Sequence, residues 1–324
     1  MIRLGQHPLP THTIAHFSDP HLLGGGGRLY GAVNTVEHLA TAIAQLEASG
    51  LDPDVIVFTG DLADLGESAA YVRLREVVEP AAQRMGCEVV WVMGNHDERA
   101  PYAKHLFADE GPDGAGARAP QDRVCMVGGL RIISLDTTVP GYRHGELEPS
   151  QLEWLRGVLA TPAEHGTIIA VHHPPIPTPL NAAMAILELD DQPAFAEVIR
   201  GTDVRGILGG HLHYSCHSTF AGVPVSVASA TCYVMDLTDP TTIIAGVDAN
   251  QSVDVVSVYP DRLVHTTVPI GRWPHISGQP AELLQQVVDM PLAQQRELCS
   301  KKTSAYNADD EARRERRVCH RCGR

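Results

Sequence analysis

Five short motifs punctuate this chain, each closing a run of apolar residues: Asp19-Pro20-His21, Gly60-Asp61, Gly94-Asn95-His96-Asp97, His172-His173-Pro174 and Gly210-His211-Leu212-His213. They collect carboxylate, imidazole and amide groups, the donor types that hold two adjacent metal ions. Two ions about 4 Å apart are a device for attacking phosphate esters. Taken singly the motifs say little. Asp-x-His is a strand-end turn, Gly-Asp is a common turn pair, and His-His-Pro terminates a strand. Jointly they say more, because all five follow expected strands at the carboxyl end, where open α/β sheets gather their ligands.

The elements that position them alternate through residue 110. His12–Phe17, Asp54–Thr59 and Glu88–Met93 are expected strands. Between them run two helices, one capped by Asn34 with Val36, Leu39, Ala40, Ile43 and Leu46 at helical spacing, the other opened by Ser68 with Tyr71, Leu74, Val77 and Val78. This βαβαβ order implies parallel strands with right-handed crossovers. The second half changes character. Gly128-Gly129 signals a hairpin between Arg123–Val127 and Leu130–Leu135, and Pro149 starts a helix through Trp154 and Leu155. Thr167–Val171 and Val204–Leu208 are short apolar strands. Two more hairpins are expected, Ser218–Ala221 with Val223–Ala228, and Val253–Val258 with Arg262–Val268. The sum is an α/β fold of two packed sheets with helices outside, occupying residues 1–275 as one domain. Residues 276–324 form an extension, with a helix at Ala281–Val288 and a mobile charged tail. In that tail Cys319-His320-Arg321-Cys322 resembles half a zinc site, with only Cys299 and His275 as further donors. An unstructured basic tail is the favoured reading.

Composition narrows the function classes. The net charge is −14, split into a +4 tail over residues 301–324 and a −18 body. An acidic body argues against gripping the polyanionic backbone of nucleic acid. It leaves room for a small anionic substrate, because bound metals invert the local field. No run of 18 apolar residues forms a membrane span, and no secretory signal precedes residue 10. Seven cysteines, with Cys87, Cys125 and Cys232 inside apolar runs, read as reduced cytoplasmic thiols.

The motif order D-x-H, G-D, G-N-H-D, H-x-P, G-H-x-H over roughly residues 12–235 resembles the calcineurin-like metallophosphoesterases. Within them the chain is similar to the class III cyclic-nucleotide phosphodiesterases of bacteria. The stretches that carry this are 28–31, 57–64, 91–97, 171–177, 210–214 and 225–233. The resemblance implies a four-layer α/β/β/α sandwich with a binuclear centre in its loops. Asp19, His21, Asp61 and His213 would hold one metal, and Asp61, Asn95, His172 and His211 the other, with Asp61 bridging. His172 is chosen over His173 as the histidine two residues before proline. The family suggests an iron–manganese or iron–iron pair, with zinc as a further option. Imidazole and carboxylate donors suit all three, and no thiolate favours a softer metal.

A hydroxide between the ions would be the nucleophile. His96, outside the ligand set, would sit over the substrate, oriented by Asp64, and stabilise charge or protonate the leaving alkoxide. Asn95, His96 and His144 are the substrate-binding candidates. The segment Pro174–Leu189 either walls the pocket or forms an interface between subunits, and Gly24–Gly27 is a flexible turn before it is a phosphate cradle. The expected function is hydrolysis of 3′,5′-cyclic nucleotides, cyclic AMP first, to 5′-nucleotides, in a cytoplasmic homodimer whose basic tail touches anionic surfaces. The rivals are a glycerophosphodiesterase or broad-specificity phosphodiesterase, and a non-catalytic interaction scaffold.

Overall fold

β-branched runs that are apolar on both faces demand cover on both sides, and the strands of this chain receive it. The computed structural model describes residues 4, 6–108, 118–276, 278 and 281–304. Its elements are β1 (His12–Phe17), α1 (Thr35–Ser49), β2 (Val55–Thr59), α2 (Ser68–Met85), β3 (Glu88–Val92), α3 (Arg99–Phe107), β4 (Arg123–Val127), β5 (Leu130–Leu135), α4 (Pro149–Leu159), β6 (Thr167–Val171), α5 (Gln192–Ile199), β7 (Val204–Gly209), β8 (Cys216–Phe220), β9 (Val223–Val227), β10 (Val234–Met235), β11 (Gly246–Val247), β12 (Ser252–Tyr259) and β13 (Arg262–Pro269). They form a mixed sheet in the order β13-β12-β1-β2-β3, a second in the order β4-β5-β6-β7-β9-β8, and the small ribbon β10-β11.

Three apolar layers fill the spaces between. Val55 and Val57 of β2 meet Ile132, Ile168 and Leu208 between the two sheets. Ile56 and Phe58, one residue out of phase, meet Leu39 of α1 and Leu74 of α2 on the outer face. On the far side Ile169 and Ile207 pack against Leu155 of α4 and Phe195 of α5. Helix, sheet, sheet and helix therefore stack as four layers, with each buried Val, Leu, Ile or Phe contributing about 1.5–3 kcal/mol.

Most expected elements recur with ends moved by one or two residues. Asn34 caps α1, its Oδ1 accepting from Glu37 N at 3.4 Å, and the helix buries Ala42 where Ala40 was expected. Pro149 opens α4 inside a Glu148–Gln151 capping box. Helices α3 and α5 and the β10-β11 ribbon are additions to the expected set. The chain divides into two compact units, Pro10–Arg272 and a second of Met1–Leu9 with Trp273–Arg324, against an expected boundary at 275. The second unit holds α6 (Glu282–Val287) and α7 (Leu292–Gln295). Cys319, His320 and Cys322 lie outside the described residues.

Candidate metal centre

Strands β1, β2 and β3 run parallel, as do β6 and β7, so the loops after them leave from the carboxyl edge of each sheet. Asp19 and His21 follow β1, Asp61 follows β2, and Asn95 and His96 follow β3. His172 follows β6, and His211 and His213 follow β7. Five of these residues adopt left-handed backbone: Asp19 at φ 51°, His21 at 45°, Asp61 at 49°, His211 at 70° and His213 at 55°. That conformation costs a non-glycine residue about 1–2 kcal/mol and clusters where function imposes it. Hydrogen bonds between loops hold it in place. Asp19 N donates to Gly60 O at 3.1 Å, His21 N to Asp61 O at 2.9 Å, and His211 N to Asp19 Oδ2 at 3.1 Å.

The side chains converge. His21 Nε2 lies 3.4 Å from Asp61 Oδ2 and 3.2 Å from His213 Nε2, and His213 Nε2 lies 3.4 Å from Asp19 Oδ1. On the other side His172 Nε2 is 3.4 Å from the same Asp61 Oδ2 and 3.0 Å from Asn95 Oδ1. One carboxylate oxygen thus serves both groups. The imidazoles are aimed from behind: Nδ1 of His172 bonds Thr59 O at 2.8 Å, Nδ1 of His213 bonds Tyr233 O at 3.1 Å, and Nδ1 of His21 bonds Asp64 Oδ1 at 2.9 Å. In each ring Nδ1 donates outward and Nε2 faces the carboxylates, the arrangement of a metal-ligating histidine with its supporting acceptor. His211 contributes a buried Nε2 with no hydrogen-bond partner among the described residues. This donor set fits a pair of metal ions.

Charge in the cluster is strongly coupled. Burial alone would raise Asp61, but His172 and His21 hold its carboxyl well below the usual range. Burial would lower His172, yet Asp61 raises it to about 9. His173 behaves differently. Burial and His172 push it down to about 3, and both its ring nitrogens bond elsewhere, Nδ1 with Thr137 Oγ1 at 2.8 Å and Nε2 with Arg143 O at 3.0 Å. Cys232 Sγ sits 3.7 Å behind His213 Nδ1, and burial keeps its thiol pKa well up.

The remaining candidates divide. His96 reaches over the cluster, its ring 4.7 Å from that of His21, and burial lowers its pKa. Its Nδ1 bonds the backbone oxygen of Asp64 at 2.8 Å, while the Asp64 carboxylate stands 3.5 Å away and is spent on His21. Asp64 therefore orients His96 chiefly through its carbonyl, a split that the sequence reading lacks. His144 does not join the site: its Nε2 pairs with Glu146 Oε1 at 3.2 Å, and the neighbouring Arg143 lines the cavity instead. In the Gly24–Gly27 turn, Gly24 N donates to Glu67 Oε2 at 2.7 Å, so a carboxylate already occupies a donor that a phosphate cradle would need.

Asp97 closes the Gly94-Asn95-His96-Asp97 motif without touching the cluster. Its carboxylate accepts from Leu62 N at 3.1 Å, Ala63 N at 3.0 Å, Gly94 N at 2.9 Å and Tyr71 Oη at 2.9 Å. It clamps the Asp61 loop to the Asn95 loop. Burial pushes its carboxyl up to about 6 against the pull of these donors. Gly94 permits the close approach, since a Cβ there would collide with the Asp61 backbone.

Above the cluster opens a cavity of about 380 Å³, a size that suits a small organic ligand. Tyr30, Tyr233, Met184, Leu187, Ile244 and Val247 form its apolar wall. The rings of Tyr30 and Tyr233 stand 5.7 Å apart, and that of Tyr233 lies 4.3 Å from His213. Met184 and Leu187 belong to the Pro174–Leu189 segment, which therefore contributes to the wall. Tyr30 falls in the stretch 28–31 that carries the family resemblance, whereas no pattern in the sequence singles out Arg143 or Ile244; only the proximity of Arg143 to Gly145 hints at a functional loop.

Comparison with known proteins agrees with this geometry. The calcineurin-like phosphoesterase family model matches residues 12–215. A cAMP/cGMP dual specificity phosphodiesterase of Mycobacterium tuberculosis is 57% identical over 270 residues, covering 83% of this chain and 83% of that protein. A probable cyclic nucleotide phosphodiesterase of Rhodococcus erythropolis is 44% identical over 282 residues, covering 87% and 91%. Among solved structures, a dimetal phosphatase of Danio rerio superposes with a TM-score of 0.57 at 17% identity, covering 81% of this chain and 99% of that one.

Proposed function

The chain belongs to the calcineurin-like phosphoesterase family, and from that premise we propose that it hydrolyses 3′,5′-cyclic nucleotides, cyclic AMP first, to 5′-nucleotides. One observation carries the reading: a converging cluster of two carboxylates, four imidazoles and an amide forms the floor of a cavity whose wall is apolar and aromatic. The floor suits a phosphate ester and the wall suits a nucleobase. Both relatives described above, named for cyclic nucleotides, support the same reading.

Asp19, His21, Asp61 and His213 would hold one metal ion, and Asp61, Asn95, His172 and His211 a second. The ions supply positive charge for a phosphoryl oxygen and a water made acidic enough to attack at neutral pH. The chain does the rest. Asp61 shares one carboxylate between both sets. Asp64 and the Thr59 and Tyr233 carbonyls fix the imidazoles. His96 Nε2 faces the cavity; because Nδ1 gives its hydrogen to the Asp64 carbonyl, only the doubly protonated ring would hand a proton from Nε2 to the departing O3′ oxygen or stabilise its charge. We propose iron with manganese, with an iron pair or zinc as alternatives, on the family resemblance; the absence of thiolate from the seven donors disfavours only softer metals. A cytoplasmic location is supported by the free thiols Cys87, Cys125, Cys216, Cys232 and Cys299, and a homodimer by the resemblance alone. No helix among the described residues is long and apolar enough to cross a membrane.

The test is a kinetic comparison of cyclic AMP, cyclic GMP, 2′,3′-cyclic AMP and a glycerophosphodiester on one preparation. The proposal expects the 3′,5′-cyclic nucleotides to have the highest kcat/KM. A preference for the glycerophosphodiester would overturn the nucleotide assignment and leave the phosphodiesterase standing. Retention of all seven donors argues against an inert scaffold.

A further inference from the structure

The Arg143 loop is fastened on both sides although the Arg143 side chain is exposed. Fully buried His173 holds the Arg143 carbonyl: because that oxygen accepts, Nε2 donates, and Nδ1 takes the hydroxyl proton of Thr137. Gly145 lies flat against the same ring, where a Cβ would come 2.6 Å from His173 Cγ. Its N donates to Glu188 O at 3.1 Å, and Asp190 N donates to its oxygen at 2.8 Å, so the loop is also tied to the segment carrying Met184 and Leu187. This anchoring accounts for the second histidine of His172-His173-Pro174.

What it aims is a guanidinium. Arg143 Nη1 stands 3.4 Å from His96 Nε2, and Arg143 is the sole Lys or Arg lining the cavity among the described residues. No carboxylate there lies within ion-pair distance of it, whereas Arg99 and Arg131 pair with Asp136 and Asp203. An arginine cannot accept a hydrogen bond, so its one ring contact uses the His96 lone pair and leaves the other N–H groups of the fork available. In a protein of net charge −14, an uncompensated cation beside a cluster that suits phosphate is placed for an anion.

We propose that Arg143 is a catalytic residue that binds a non-bridging phosphoryl oxygen of the substrate, and that His173 is the positioning residue that seats it. This rests on the phosphodiesterase reading of the same site. The test uses bis(4-nitrophenyl) phosphate alongside cyclic AMP, with inorganic phosphate as inhibitor. Arg143→Met should lower kcat/KM by roughly 100- to 1000-fold on both esters, the size expected for losing a preorganised donor. It should also weaken phosphate inhibition at least tenfold, at unchanged metal content and melting temperature. Arg143→Lys should fall between. Added methylguanidinium should partly restore Arg143→Ala, a rescue that no purely structural role predicts. His173→Leu should lower kcat/KM in the same direction without adding to Arg143→Met. Turnover and phosphate inhibition of Arg143→Met within threefold of the parent would overturn the proposal, as would lost turnover with intact phosphate inhibition and no rescue. If the parent cleaves the chromogenic ester but no cyclic nucleotide, the nucleotide reading fails, and the chromogenic series still decides on Arg143.

Discussion

At the floor of the cavity Asp19, Asp61, His172 and His213 are almost wholly buried, while on its wall Tyr30 and Ile244 are 71% and 46% exposed. The floor comes from loops that leave strand ends in tight backbone turns, with His21, His172 and His213 braced by a carbonyl or carboxylate behind them. The wall comes from the neighbourhoods of residues 30 and 185 and from the β10-β11 ribbon, pieces that lie far apart in sequence. The contrast teaches that bond breaking and substrate choice rest on different side chains, joined at Tyr233, whose carbonyl braces His213 while its ring lines the wall. Damage to one should be readable apart from damage to the other.

The largest effect should come from the shared carboxylate. Asp61→Ala is expected to lose at least one metal and nearly all activity with the fold kept. An active variant that retains two metals by elemental analysis would remove Asp61 from the centre of the floor. Next comes His96, which overhangs the floor without belonging to it. His96→Ala should keep both metals and lose about two to four powers of ten in rate. Poor leaving groups such as a ribose alkoxide should suffer more than nitrophenolate, whereas Asp64→Asn, which keeps the carbonyl that orients His96 and alters the brace behind His21, should show no such selectivity and should weaken metal retention instead. A uniform loss across leaving groups would exclude proton donation, and loss of metal would return His96 to the ligand set.

The wall should answer differently. Tyr30→Ala is expected to raise KM for cyclic AMP about tenfold, in the range of lost base stacking, and to leave bis(4-nitrophenyl) phosphate within about threefold. Equal losses on both substrates would dissolve the distinction between floor and wall.

Acid should act on two histidines of the sheets. His16, which bonds Thr59 Oγ1 at 2.9 Å beneath the centre, is pushed by burial down to about 3, and His265 is pushed by burial down to about 4. A histidine whose folded pKa lies below its unfolded value of about 6.5 gives its full stabilisation above that value and loses it as pH falls. The melting temperature should therefore decline from pH 7 toward pH 4. Asp97, whose carboxyl burial pushes up to about 6, works the other way, so the check is a comparison with His265→Gln: an equal decline in parent and variant would mean that this ring is not held neutral.

The smallest effect concerns residues 300–324. All floor and wall residues lie within 10–272, so deleting this tail should leave turnover and metal content within about twofold. Unfolding on truncation, or zinc bound at Cys319 and Cys322, would contradict that.

The same divide governs what the sequence discloses. The floor is legible because its donor types recur at the ends of apolar runs, and a parallel strand is easy to recognise when both faces are buried. Helix α3 escapes notice because it buries only Tyr102 and Ala103 and carries Pro101 in its first turn. Helix α5 is eight residues long and follows a proline-rich stretch that hides its start. Tyr30, Met184 and Ile244 share no spacing, and only the folded chain brings them together. The split role of Asp64 depends on a backbone oxygen, which no residue type announces.

The left-handed backbone at Asp19, His21, Asp61, His211 and His213 leaves a mark on descent. Glycine adopts that conformation at little steric cost, and asparagine is among the residues that tolerate it best. A lineage released from the need to bind ions would feel no pressure to keep histidine or aspartate in so awkward a posture and should drift toward those two residues. Glycine or asparagine at these five places, in a relative that keeps the surrounding strands, would mark a protein that has retired from catalysis and lives on as a shape.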